Sequence, residues 1–474
     1  MESKENRSKP VGENHTSFRD RIATVDESGK RKWVYAQKPK GKLYNIRTYV
    51  SWFFFILFFS LPFIEVNGQP IFLFNVVQAK FILFGKVFWP QDFFIFGLGM
   101  LTFIVFIVLF TAAFGRLFCG WVCPQTIFME MFFRKIEYFI EGDAAQQKML
   151  AKAPWTGSKI FRKATKHIVF YLCSFIIANT FLAYIIGVKE LWKIITEPVA
   201  QHIGGLISIA VFSGVFYAVY AFFREQACTV VCPYGRLQGV LLDKNSMIVA
   251  YDHQRGEPRG KYNKKVDRTI GDCIDCFQCV KVCPTGIDIR NGTQMECVGC
   301  TACIDACNAI MDKINLPLGL IRYASENGIE KREKLQYTGR MKLYTVLLGV
   351  LVTVLAFLLV TRKDVDSTIM RTPGMLYQER GTDSVSNLYN IKVANKTSNA
   401  IPLQLKLEGI SGSIEIIGQH AIQVKEQGEG SGSFFIILPR NIIHERKTTL
   451  RIGIYSDNKK IDMISTNFLG PVNE

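Results

Sequence analysis

Histidine is scarce in this sequence, with 6 in 474 residues. The six stand at 15, 167, 202, 253, 420 and 444, and no two face one another within an apolar run, so a bis-His haem is not expected. Charge is missing from five stretches, 48–64, 93–114, 168–188, 203–223 and 343–361, none of which holds Asp, Glu, Lys or Arg. About 20 apolar residues cross a bilayer as a helix, so these absences exclude an ordinary soluble globule. Cysteine is absent after Cys307, which excludes a disulfide in the tail. Residues 1–47 contain no apolar run, so no cleaved signal peptide is expected and the first span serves as its own anchor. Acid is in deficit as well, with 40 Asp plus Glu against 57 Lys plus Arg and a net charge of +17.

The location of that charge gives the expected topology. Segments 1–47, 115–166 and 224–342 hold 12, 9 and 18 Lys plus Arg, whereas 65–92 and 189–202 hold 2 each. Basic loops stay in the cytoplasm, which places the N-terminus inside and the tail from Arg362 outside. The excess therefore reports sidedness and gives no support to nucleic-acid binding. Residues 70–90 are apolar but interrupted by Lys80 and Lys86, and read as an interfacial or re-entrant segment more readily than as a sixth span.

Of 13 Cys, the 12 that form motifs fall on the expected inner side, where a reducing cytosol favours metal binding over disulfides. Cys273, Cys276, Cys279 and Cys283-Pro284 follow the C-x2-C-x2-C-x3-C-P spacing of bacterial ferredoxins, and Cys297, Cys300, Cys303 and Cys307 repeat it. Three thiolates of each run wrap one [4Fe–4S] cube and the fourth crosses to the other. This predicts one cluster on Cys273, Cys276, Cys279 and Cys307, and a second on Cys297, Cys300, Cys303 and Cys283. A single C-x2-C would suit zinc, but the doubled spacing does not. Asn308 stands where the pattern has Pro, and Pro is not a ligand.

Two further pairs lie where apolar spans end. Cys119-Gly-Trp-Val-Cys123-Pro124 follows the second span and Cys228-Thr-Val-Val-Cys232-Pro233 the fourth, offset by 109 residues, which reads as an internal duplication. On a helix, positions i and i+4 share a face, so each pair of sulfurs can converge. Such thiols could bind soft Cu(I) or cycle between dithiol and disulfide. Cys173, alone in mid-span, reads as a small core residue, and His202 as an interfacial polar group. Met370, Met375, His420 and His444 form no copper motif.

From about residue 376 the pattern changes to period two. Segments 387–395, 401–409, 413–418, 434–439 and 449–456, separated by Gly, Ser and Asn, predict an antiparallel immunoglobulin-like sandwich. The expected fold is thus a polytopic α-helical membrane protein with a 2[4Fe–4S] ferredoxin-like insert and a C-terminal all-β domain. Its parts are a basic cytosolic segment (1–47), a membrane domain with four helices and both C-x3-C-P motifs (48–242), the ferredoxin-type domain (243–342), a fifth transmembrane helix (343–361) and a periplasmic β-sandwich (362–474).

The chain resembles the cytochrome c oxidase accessory proteins of the FixG/CcoG (RdxA) type. The resemblance rests on FRDRIATVDESGKRKWVYAQKPKG before the first span, QDFFIFGLGMLTFIVFIVLFTAAFGRLFCGWVCPQT across the second, VCPYGRLQGVLLD at 231–243, both ferredoxin runs, and RTPGMLYQER after the fifth span. It implies a bacterial inner-membrane Fe–S protein needed to assemble cbb3-type oxidase, with oxidase subunits or copper-handling factors as partners. It also implies cupric reductase activity, with copper as substrate. Cys119, Cys123, Cys228 and Cys232 are then the expected thiol or copper site, fed through the clusters by an unnamed cytosolic donor. A homo-oligomer is compatible with the sequence. Two rivals stand beside this reading: a quinol-linked subunit of a periplasmic reductase system, and a non-enzymatic assembly scaffold acting through the β-domain.

Overall fold

The structure is a computed structural model, which describes residues 23–471 except 26–27, 67, 77–79, 89–91, 262–269, 334–335, 364, 375, 382, 398, 419–421, 427 and 457–458. Five helices are long and apolar enough to cross a membrane: Lys42–Phe63, Phe93–Phe114, Gly157–Ile186, Ile203–Phe223 and Gly339–Val360. They match the five uncharged runs of the sequence to within a few residues at the C-terminal ends, with one notable extension at the start of the third. The third helix begins well before its apolar run, because Lys159, Arg162, Lys163 and Lys166 are good helix formers and prolong it beyond the apolar layer.

The chain divides into two compact units, one of residues 1–61, 100–183 and 188–352, the other of 62–99, 184–187 and 353–474. Within the first unit, an aromatic core gathers Phe55, Phe128, Phe133, Phe170 and Tyr220, with Phe133 and Tyr220 stacked at 4.4 Å. Cys173 packs against this core, as a small apolar filler would. A second core joins Val249, Tyr251, Ile304, Met311, Leu320 and Ile321 to Cys273, Cys279 and Cys307. Its frame is an antiparallel pair, Ile248–Tyr251 with Ile321–Ala324, and the helix Ala302–Lys313.

Beside these cores lies a buried charge network. Glu137 binds Arg224 at 2.7 Å and Lys166 at 3.4 Å; Glu141 binds Lys166 and Lys163, each at 2.9 Å. Arg224 and Arg31 also stand over the Trp33 ring at 4.8 and 4.4 Å. Burial alone would raise the Glu137 carboxyl, but Arg224, Lys166 and Arg134 around it bring it down to about 2.

In the second unit, residues 70–90 form strands rather than a spanning helix among the described residues. Strands Phe72–Asn75, Lys80–Leu83 and Lys86–Phe88 pair antiparallel, with a tight turn at Phe84-Gly85 where both residues take positive φ. Ile82 and Val87 point into the small core, which leaves Lys86 exposed and explains the interrupted apolar pattern. The C-terminal region is the expected two-sheet sandwich. One sheet holds Ser413–Ile416, Glu429–Pro439, Ser384–Asn395 and Val365–Arg371, with Gln378–Arg380 on its side; the other holds Ile422–Val424, Ile401–Glu408, Lys447–Ser456 and Lys459–Leu469. Alternate residues such as Val385, Tyr389, Ile391, Phe434, Ile436, Ile452 and Phe468 fill the space between.

Candidate metal centre

The two ferredoxin runs fold alike. Asp275 and Phe277 flank Cys276 with φ of 54° and 57°, and Gly299 and Thr301 flank Cys300 with φ of 68° and 64°. Left-handed residues on both sides of the central Cys coil each loop so that its three thiols face one space. Helices Gln278–Lys281 and Ala302–Lys313 then start, carrying Cys279 in the first and Cys303 and Cys307 in the second.

Two cavities result. One is lined by Cys273, Cys276, Cys279 and Cys307 with Tyr251 and Met311. The other is lined by Cys283, Cys297, Cys300 and Cys303, with Cys279 among its lining residues. Each therefore takes three thiols from one run and the fourth from the other. Among the described residues, no three His, Cys, Asp or Glu converge closely enough to hold a single ion. The thiols surround a space rather than a point, which fits a cube of iron and sulfide and does not fit one zinc ion. Burial pushes the thiols of Cys279, Cys300 and Cys307 up to about 12, so forming the thiolate ligands must release protons. Asn308, in the place of the usual Pro, accepts a hydrogen bond from Gly319 N at 2.9 Å and ties down the loop that follows its helix.

The C-x3-C-P motifs differ from a simple i, i+4 pair. Pro124 and Pro233 each begin a new helix and force the preceding Cys123 and Cys232 into extended backbone, with ψ of 123° and 114°. Cys119 and Cys228 belong to the short helical turns before the break. The duplicated segments nonetheless share their geometry: each span ends on a residue of positive φ, Gly115 at 55° and Arg224 at 53°. They also grip one another. Cys119 Sγ donates to Gln238 Oε1 at 3.3 Å, Thr126 Oγ1 lies 4.0 Å from Cys228 Sγ, and Thr111 and Tyr234 hydroxyls meet at 3.0 Å. All four thiols are within electrostatic reach of one another; burial, then this mutual charge, pushes Cys119 up to about 11 and Cys228 up to about 12.

This four-thiol group abuts the second cavity. The Gly120 position is so close to the Gly299 carbonyl that a Cβ would collide with it, and a Cβ on Gly299 would come within 2.9 Å of Arg116 O. Trp121 Nε1 donates to Tyr323 Oη at 3.0 Å, and Tyr323 Oη to Gly299 O at 3.3 Å. The first span is fixed to the same assembly: Asp305, between Cys303 and Cys307, accepts from Leu43 N at 3.2 Å and Tyr44 N at 2.8 Å at the helix start. Sequence reasoning did not single out Asp305, Gln238, Arg47 or Tyr323; their only signal was polarity beside a motif. In the tail, Met370 and His444 are exposed, while Met375 and His420 lie outside the described residues. His202 pairs with Glu197.

Two cages of four thiols each, beside the ends of apolar helices, define a membrane iron–sulfur electron-transfer protein. Residues 223–326 match the model of a 4Fe-4S dicluster domain, residues 96–140 that of a 4Fe-4S binding domain, and residues 355–471 that of the IG-like fold at the C-terminal of FixG. Protein RdxA of Cereibacter sphaeroides is 35% identical over 72% of this chain and 73% of its own length. Protein RdxB of the same organism is 32% identical over 80% and 82%. Nitrogen fixation protein FixG of Rhizobium meliloti is 34% identical over 62% of this chain, and the match spans 58% of FixG's own length. The chain belongs to the FixG family.

Proposed function

We propose that the protein is a cupric reductase of the bacterial inner membrane that supplies Cu(I) for assembly of a cbb3-type oxidase. In this reading the N-terminus and the basic segments face the cytosol and the β-sandwich faces the periplasm, where oxidase subunits or copper-handling factors are its partners. The domain layout is the one read from the sequence.

Cys273, Cys276, Cys279 and Cys307 would hold one [4Fe–4S] cluster, and Cys283, Cys297, Cys300 and Cys303 the other. Bound there, the clusters supply one-electron carriers. The chain's own contribution is placement. Gly120 and Gly299 bring the second thiol cage against the four-thiol group without intervening side chains. Cys119, Cys123, Cys228 and Cys232 offer soft sulfur to the substrate, and soft ligands favour Cu(I) over Cu(II). Each Cu(II) takes one electron, provided by a cytosolic reductant, and becomes Cu(I); a thiol that ligates the copper gives up its proton on doing so.

The observation that carries this reading is the convergence of two distant C-x3-C-P motifs beside the Cys297–Cys300 loop. Replacing Cys119, Cys123, Cys228 and Cys232 together by Ser is expected to abolish copper reduction while about eight irons per chain remain. Unchanged copper reduction would remove these thiols from the mechanism. The match of residues 96–140 to a 4Fe-4S binding domain favours a second reading, in which the four thiols hold a cluster of their own. Iron content decides between them: about twelve irons per wild-type chain, falling to about eight in the four-Ser variant, would establish the second.

A further inference from the structure

The two thiol cavities differ in the charge around them. Beside the Cys273 cavity the arginines are neutralised by carboxylates: Arg290 pairs with Asp288 at 2.7 Å and with Asp275, Arg255 with Asp272, and Arg259 with Glu257 at 2.7 Å. Beside the Cys297 cavity the arginines are Arg47 and Arg116, with only 2% and 8% of their surface exposed. Among the described residues neither forms an ion pair. Their partners are backbone carbonyls. Arg47 Nε donates to Gly120 O at 2.7 Å and its NH1 to Cys300 O at 3.5 Å. Arg116 NH1 donates to Cys297 O at 3.2 Å and to Met295 O, and its NH2 to Gly235 O at 2.8 Å. Arg47 NH2 and Arg116 Nε keep buried N–H groups with no acceptor among the described residues.

Carboxylates line the same cavities, Glu130 beside Arg47 and Asp243, Glu296 and Glu326 beside Arg116, but none closes an ion pair with either arginine among the described residues. A buried cation without a paired counter-ion is costly, so these two guanidiniums favour a further negative group beside them. A cluster held by four thiolates is such a group, and it gains a further negative charge on reduction. Positive charge in a buried setting therefore favours the reduced form. We propose that Arg47 and Arg116 are positioning residues that hold the reduction potential of the cluster at Cys283, Cys297, Cys300 and Cys303 above that of its neighbour. The offset directs electrons from the Cys273 side toward the C-x3-C-P thiols. The two arginines also bridge those sites, since each bonds both a cluster-loop carbonyl and a carbonyl of a C-x3-C-P segment, Gly120 or Gly235. This inference rests on the cluster ligands proposed above and not on copper being the acceptor.

The test is a redox titration followed by EPR on the full chain, purified anaerobically in detergent, as wild type and as R47Q, R116Q, R47K and R116K. Wild type is expected to show two midpoint potentials. Both Gln variants should lower the same one and leave the other in place, while the Lys variants, which keep the charge, stay near wild type. Gln variants with full iron and both potentials unchanged would overturn the proposal, as would Lys variants shifted as far as Gln. Loss of one cluster in Gln variants with retention in Lys variants supports a need for the charge; equal loss in both makes the role structural and defeats it. A wild-type chain with fewer than two clusters would instead defeat the ligand assignment, independently of the variants.

Discussion

Gly120, between the cysteines of the first C-x3-C-P motif, lies directly against the carbonyl of Gly299 in the Cys297–Cys300 loop. Neither residue ligates anything, yet together they set the separation of the two thiol groups. Gly120→Ala should force them apart, at about 1–3 kcal/mol of overpacking. Copper reduction should slow while iron content stays at the wild-type level. A Gly120→Ala variant as fast as wild type would show that this contact does not govern transfer.

Selective loss of one cluster should follow a single change. Cys303 lines only the second cavity, so Cys303→Ser is expected to halve the iron, to about four per chain, and to remove one of two EPR signals. Cys276, which lines only the first, should remove the other. Loss of both signals from either change would contradict two separately assembled cages.

The buried carboxylate of Glu137 gives a pH dependence with a definite sign. Its carboxyl is brought down to about 2 in the folded chain from an ordinary value near 4.5, so the stabilisation is present above about pH 4.5 and is lost as pH falls through 2. The shift corresponds to about 3 kcal/mol at neutral pH. Glu137→Gln should melt at lower temperature than wild type at pH 7, and the gap should narrow as pH falls from 4.5 toward 2. A gap of constant size over that interval would show that the network does not hold this carboxylate ionised in the fold.

Much of this was legible before the fold was known. Uncharged runs identify the five spans because lipid tolerates no unpaired charge, and the doubled Cys spacing identifies both thiol cages because ligation fixes spacing. Other parts were not. The strand character of residues 70–90 was hidden, since short strands buried on one face leave an apolar run that periodicity cannot separate from a membrane segment. Strands Val365–Arg371 and Lys459–Leu469 were missed as well; the first follows a span directly and the second alternates weakly, with Lys459, Lys460 and Asp462 at its start. The junction around Arg47, Gly120, Asp305 and Gly299 was also hidden, because its partners lie far apart in the chain and each looks ordinary alone.

The most direct test is stoichiometric. The chain, purified anaerobically and reduced with dithionite that is then removed, is mixed with Cu(II) while cluster absorbance and EPR are followed. Reoxidation of both clusters with one Cu(I) formed per electron lost is the predicted result. Clusters that stay reduced in the presence of Cu(II) would contradict the account.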